Sequence, residues 1–104
     1  RIIEMNELME DTYDYLLEES GFQGAVNQFV EEYAEFTTAL MHLRKTDDYI
    51  KVHDEMSDLL ITLDRLMHAL DCHNEVSEWK IKNMLELKEK YKEKVKQWKT
   101  TTST

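Results

Sequence analysis

Two groups of acidic side chains carry the chemistry this sequence offers. The stretch "EEYAE" places Glu31, Glu32 and Glu35 within about one helical turn, and "DEMSD" does the same for Asp54, Glu55 and Asp58. Like charges at such spacings repel one another on a helix. Each group contains an i, i+3 pair, Glu32 with Glu35 and Glu55 with Asp58. A rotation of about 100° per residue relates these pairs to the apolar residues around them. With Phe29 at zero, Phe22, Val26, Tyr33, Phe36 and Leu40 fall within about 60° and form a predicted core stripe. Glu32 then lies at about −60°, Glu35 at about −120° and Glu31 at about −160°. With Val52 at zero, Met56, Leu59, Leu63, Leu66, Met67 and Leu70 form a second stripe, with Glu55 at about −60° and Asp58 at about −120°. Both acid pairs occupy the same shoulder of their stripes. If the two helices are antiparallel neighbours, as their short connection implies, four carboxylates converge at the rim of the core. Left unpaired, such carboxylates oppose one another's ionisation through desolvation and repulsion. A divalent cation relieves both. Oxygen-only donors favour a hard ion, Mg²⁺ first and Mn²⁺ second, and Mg²⁺ held by few carboxylates keeps positions for water and substrate phosphates. The plainer alternative is two solvated acidic patches.

The elements that must position these acids are helical. The 104 residues contain no proline and only two glycines, Gly21 and Gly24, while Leu, Met, Glu and Lys are plentiful. The length suits one domain, with stability that self-association would raise. The expectation is an all-α antiparallel bundle of about four helices, assembled as an oligomer. The first helix is expected from about Ile3 to Glu19, ending where "ESGFQG" supplies Gly21 as a stop. Its apolar residues Met5, Leu8, Met9, Leu16 and Leu17 recur at three- and four-residue steps, with Thr12 between. The second is expected from Phe22 or Ala25 to Leu43. The third follows "RKTDD", capped by Thr46 or Asp47, and runs to about Leu70. The fourth, capped by Asn74, runs from Glu75 to about Trp98. A single domain would then cover residues 1–99, with 100–104 as a disordered tail. The last helix is rich in Lys and Glu with a narrow apolar stripe. It reads as a solvated outer helix, or as one whose lysines hold an anionic ligand.

The net charge of −9 disfavours duplex nucleic acid and anionic membrane surfaces, and favours cation binding. No apolar run approaches the roughly 20 residues of a membrane span. The lone Cys72 fits a reducing, cytoplasmic setting.

The motifs themselves carry a family resemblance. "EEYAE" fits E-E-x-x-E and "EMSD" fits E-x-x-D, with 19 residues between Glu35 and Glu55. Together with "FV" before the first motif, "TTALMHLR" after it and "LLITLDRLMHAL" after the second, they resemble the MazG-like family of all-alpha nucleoside triphosphate pyrophosphohydrolases over about Phe22 to Lys90. The resemblance implies hydrolysis of a nucleoside triphosphate between its α- and β-phosphates, giving nucleoside monophosphate and pyrophosphate. It implies Glu32, Glu35, Glu55 and Asp58 as Mg²⁺ ligands. Glu31 beside them would help hold a metal or orient and deprotonate the attacking water. Lys80, Lys82 and Asn83 would contact phosphate, and the active bundle would be a homodimer or homotetramer. Ala34 stands where many members have glycine, and Glu86 near where an arginine is expected. A homodimer that binds nucleotide or metal without turnover, and a structural adaptor, are the alternatives.

Other residues are less specific. His42, His53, His68 and His73 lack a Glu three positions before them, which sets aside a diiron Glu-x-x-His site. His53 lies beside the second acid group and reads as a surface residue. Cys72 has no catalytic context. Tyr13, Tyr15, Phe22, Phe29 and Tyr33 read as core, with nucleobase recognition as the alternative, and Trp79 and Trp98 suit packing between copies.

Overall fold

The computed structural model describes residues 5–102. Among the described residues every regular element is helical: α1 spans Met5–Thr46, α2 Tyr49–Leu70 and α3 His73–Thr102. The all-α class agrees with the composition, but three helices stand where about four are expected. The difference lies at Gly21. Its φ of 65° and ψ of −170° are non-helical, so two helical segments meet across a kink with no connecting loop. Glycine reaches this φ without the clash a Cβ would bring. The expected stop is thus a bend inside α1. The expected start at Ile3 lies outside the described residues.

The next two boundaries shift by a few residues. α1 continues to Thr46, and Asp47 takes a left-handed φ of 53°. The cap of α2 is neither Thr46 nor Asp47 but Asp48, whose Oδ1 accepts the Lys51 N–H at 3.0 Å. α2 ends at Asp71, also left-handed at φ 51°, whose N–H reaches the His68 carbonyl at 3.1 Å. α3 then begins at His73, ahead of the expected Asn74 cap. It runs through Thr102, past the expected domain end at residue 99. Thr100, Thr101 and Thr102 each donate their hydroxyl to the carbonyl four residues back. Ser103 and Thr104 lie outside the described residues.

The chain divides into two compact units, one ending at Asp71 and one beginning at Cys72. In the first, α1 and α2 pack as an antiparallel pair: Gln28 meets Arg65, and further along α1 Glu35 meets Glu55. The seam between them is not the predicted one. Its buried residues are Ala25 and Ala39 on α1 with Val52, Glu55, Thr62 and Arg65 on α2. Phe22, Tyr33 and Leu40, expected in the core, are 46%, 56% and 42% exposed. Relative to the predicted stripes, both helices are turned by about 60° toward their acids. Small residues explain the choice: Ala25, Ala39 and Thr62 let the helix axes approach, whereas the large apolar residues stand beside the contact line. On antiparallel helices, equal offsets from the seam point to the same side. Phe22, Tyr33 and Leu40 of α1 therefore share one open face with Met56, Leu63 and Leu70 of α2.

Polar contacts fasten the pair. Arg65, buried, donates to Gln28 Oε1 at 2.6 Å and to Ser20 Oγ at 3.1 Å. A Cβ on Gly24 would collide with Ser20 and stand 3.3 Å from the Arg65 guanidinium, so this crossing needs glycine. Before the kink, α1 leans on another flank of α2. The Tyr13 hydroxyl donates to the Ile61 carbonyl at 3.3 Å, its ring stacks at a tilt on His68, and His68 Nε2 lies 2.7 Å from Asp14.

α3, the second unit, buries none of its described residues. Some of its apolar positions recur every 11 residues: Val76, Leu87 and Trp98 form one row, and Met84 and Val95 another. A period of 11, or about 3.67 residues per turn, keeps a stripe nearly straight along a helix. Among the described residues no helix is long and apolar enough to cross a membrane.

Candidate metal centre

The sequence spacing puts acids on the seam side of both helices, and the antiparallel packing brings them together. Glu32 and Glu35 of α1 join Glu55 of α2 in one triad whose carboxylate oxygens lie within 4.8 Å of one another. Asp54, Glu55 and Asp58 form a second triad at the same spacing. Glu55 belongs to both and is 4% exposed, which makes it the hub. Glu32 and Asp58 are half-buried, and Glu35 and Asp54 are exposed.

The electrostatics are unfavourable without a cation. The Glu32 carboxyl is held above its ordinary value of 4.5, first by desolvation, then by the Glu35 and Asp58 charges, a hydrogen bond with Glu35 and the Glu55 charge. Glu32 Oε2 and Glu55 Oε2 are shut from solvent with no hydrogen-bond donor. Such orphaned oxygens are destabilising unless something positive meets them. On the other oxygen of Glu55 the Lys51 ammonium makes an ion pair at 2.7 Å, and the same contact raises the lysine's own pKa. A hard divalent ion fits this donor set, which is oxygen-only, carries several charges and has unsatisfied lone pairs directed inward.

Beside the acids, a cleft of about 420 Å³ opens between Thr38, Ala39 and His42 of α1 and Lys51 and Glu55 of α2. Ala34 and Ala39 leave room where larger side chains would close it. Its volume falls within the range of small-ligand sites, roughly 300–1,000 Å³.

Glu32, Glu35, Glu55 and Asp58, singled out by spacing, all belong to the triads. Glu31 is exposed and joins neither. Lys80, Lys82 and Asn83 lie exposed on α3. Lys82 Nζ sits 4.6 Å over the Trp79 ring, and Lys80 and Asn83 border the apolar stripe with Trp79 and Leu87. Of the aromatic residues read as core, Tyr13 is buried, Phe29 half-buried, and Tyr15, Phe22 and Tyr33 exposed. His53 is exposed, and Cys72 is a free, half-buried thiol. Sequence reasoning placed Asp54 in the second acidic group without counting it among the ligands, and missed Lys51. Asp54 lay next to the second motif, and Lys51 stood one turn before Glu55, an i, i+4 pairing that signals an ion pair on a helix.

No protein-family model, curated protein or solved structure matches the chain.

Proposed function

We propose that the protein is a Mg²⁺-dependent nucleoside triphosphate pyrophosphohydrolase of the MazG-like kind. The observation that carries this reading is the pair of oxygen triads sharing buried Glu55. Glu32, Glu35, Glu55 and Asp58 are the ligands for Mg²⁺, or for Mn²⁺ in its place. Bound there, a divalent cation supplies charge neutralisation at phosphate and acidifies water. Glu31, exposed next to Glu32, accepts the proton of the water that attacks the α-phosphorus. The bond to the β-phosphate oxygen breaks, and pyrophosphate leaves. The anionic centre accounts for the need for a cation before a triphosphate can approach.

The open apolar face of the hairpin supports self-association as a homodimer or homotetramer. Phe22, Tyr33, Leu40, Met56, Leu63 and Leu70 are each exposed by 39–57%, and a second copy covering them would take this apolar surface out of water.

A panel of nucleoside triphosphates with Mg²⁺ and product identification tests the reaction. The expected products are nucleoside monophosphate and pyrophosphate, and release of orthophosphate refutes the reaction. Glu35→Gln and Asp58→Asn proteins are expected to stay helical and lose turnover, and full activity in both excludes these ligands. Tight binding of Mg-nucleotide without product would make the protein a binding module. A melting temperature indifferent to Mg²⁺ would leave the acids merely solvated, since a ligand of the folded state alone must raise it.

A further inference from the structure

We propose that Lys51 is the resident cation of this centre: its ammonium holds Glu55 until a divalent ion arrives, then turns to a phosphate group in the adjoining cleft. The inference rests on the metal reading above and adds a binding residue and an anion subsite to it.

Three observations carry it. First, Lys51 is bound to the hub of both triads, with Nζ 2.7 Å from Glu55 Oε1. One ammonium supplies one positive charge to a cluster of five carboxylates, and it satisfies one oxygen of Glu55 while Oε2 stays without a donor. The lysine therefore holds the place of a stronger cation without matching it. Second, the two partners differ in mobility. The Glu55 side chain is 6% exposed and the Lys51 side chain 56% exposed, on a flexible four-carbon stem in the first turn of α2. Lys51 can swing without repacking the seam, whereas Glu55 cannot. Third, there is somewhere for it to go. The cleft that Lys51 borders is lined on the α1 side by Thr38, Ala39 and His42, and Glu35 and Glu55 line it as well. Apart from His42, Lys51 is the nitrogen-bearing side chain bordering that space.

A divalent ion and an ammonium cannot share Glu55 without repelling each other, so entry of one weakens the hold of the other. The freed ammonium then borders the cleft beside the acids, where it would meet a phosphate group entering that space. A phosphate oxygen there gains a charge-assisted hydrogen bond. The ligand class is a condensed phosphate, and inorganic pyrophosphate is the smallest probe of it.

The test compares the full-length wild type with Lys51→Met and Lys51→Arg by titration calorimetry, with circular dichroism to confirm helicity. With Mg²⁺ alone, Lys51→Met is expected to bind about 2- to 5-fold more tightly than wild type, because the competing ion pair is gone. With pyrophosphate at saturating Mg²⁺, Lys51→Met is expected to bind at least about 10-fold more weakly, and Lys51→Arg to retain most of the affinity. Equal or weaker Mg²⁺ binding by Lys51→Met overturns the competition, and unchanged pyrophosphate binding overturns the phosphate contact. If the wild type itself takes up no Mg²⁺, the metal reading fails and the role of Lys51 fails with it. That outcome is visible in the wild type alone, so the two failures are told apart.

Discussion

The α1–α2 hairpin and α3 are both helical and both amphipathic by pattern, yet they differ in charge and in what they bury. Residues 1–71 carry seventeen acids against five basic residues, whereas α3 carries eight lysines against five glutamates. The hairpin buries Glu55, Thr62 and Arg65 together with Tyr13, Ala25, Ala39 and Val52, and α3 buries none of its described residues. Acidic side chains are plentiful in both. In α3 each glutamate can be solvated or paired with a nearby lysine, which is the ordinary state of an exposed helix. In the hairpin, packing takes the same chemical group out of water and sets it against others of its kind. An acid becomes a candidate ligand through its surroundings, and the contrast between Glu55 and Glu89 displays this within one chain.

Four experiments break or sharpen that contrast. The largest effect is expected on turnover with Mg²⁺. Glu55→Gln should lower kcat/KM by at least about 100-fold, beyond what loss of an outer-shell partner brings. Glu89→Gln, an acid of α3, should change it less than about twofold, as a surface substitution does. Equal effects from the two would dissolve the distinction. Next in size is stability in urea. Arg65→Ala leaves Gln28 and Ser20 without their donor and should cost about 1–3 kcal/mol, whereas Leu87→Ala on α3 should stay within about 0.5 kcal/mol.

The third effect is a pH dependence with a definite sign. Glu32 has a folded pKa above its ordinary 4.5, so between the two values the folded state binds the extra proton. Its contribution to stability is present below 4.5 and is lost as pH rises through the folded pKa. Metal-free protein should therefore gain stability at neutral pH from Glu32→Gln, read as a higher urea midpoint. Saturating Mg²⁺ should reverse the ranking by stabilising the wild type more than the variant. The smallest effect is spectroscopic. The Tyr13 phenol is pushed up to about 12, first by burial and then by the neighbouring Asp64 carboxylate. An alkaline absorbance titration should show one phenol ionising late, and Tyr13→Phe should remove that step.

Much of this was legible in the residues. The absence of proline and the spacing of apolar positions foretold helices, and Gly21, read as a helix stop, stands at the bend in α1. The pairs Glu32/Glu35 and Glu55/Asp58 stood out because i, i+3 repetition is a local property. The rotation of the helices was not legible. A hydrophobic stripe predicts which face of a helix avoids water, but two helices alone can cover only part of a wide stripe. Which part is settled by how closely the axes approach. Here Ala25, Ala39 and Thr62 win over Phe22, Tyr33 and Leu40, and the acids move from the shoulder into the seam. Asp48 in place of Asp47 as the cap is a similar case, since either aspartate can cap and the turn geometry selects one.

The sequence by itself determined the helices, the two sets of acids and their side of each helix, because these depend on residue type and on a rotation per residue that is nearly constant. Only the tertiary structure decided that Glu32 and Glu35 of α1 reach Glu55 of α2, that Glu55 is buried as the shared centre and that a cleft opens beside it. Those are properties of two helices meeting. They depend on distances across the seam and on the exclusion of water, and no spacing along a single chain encodes either.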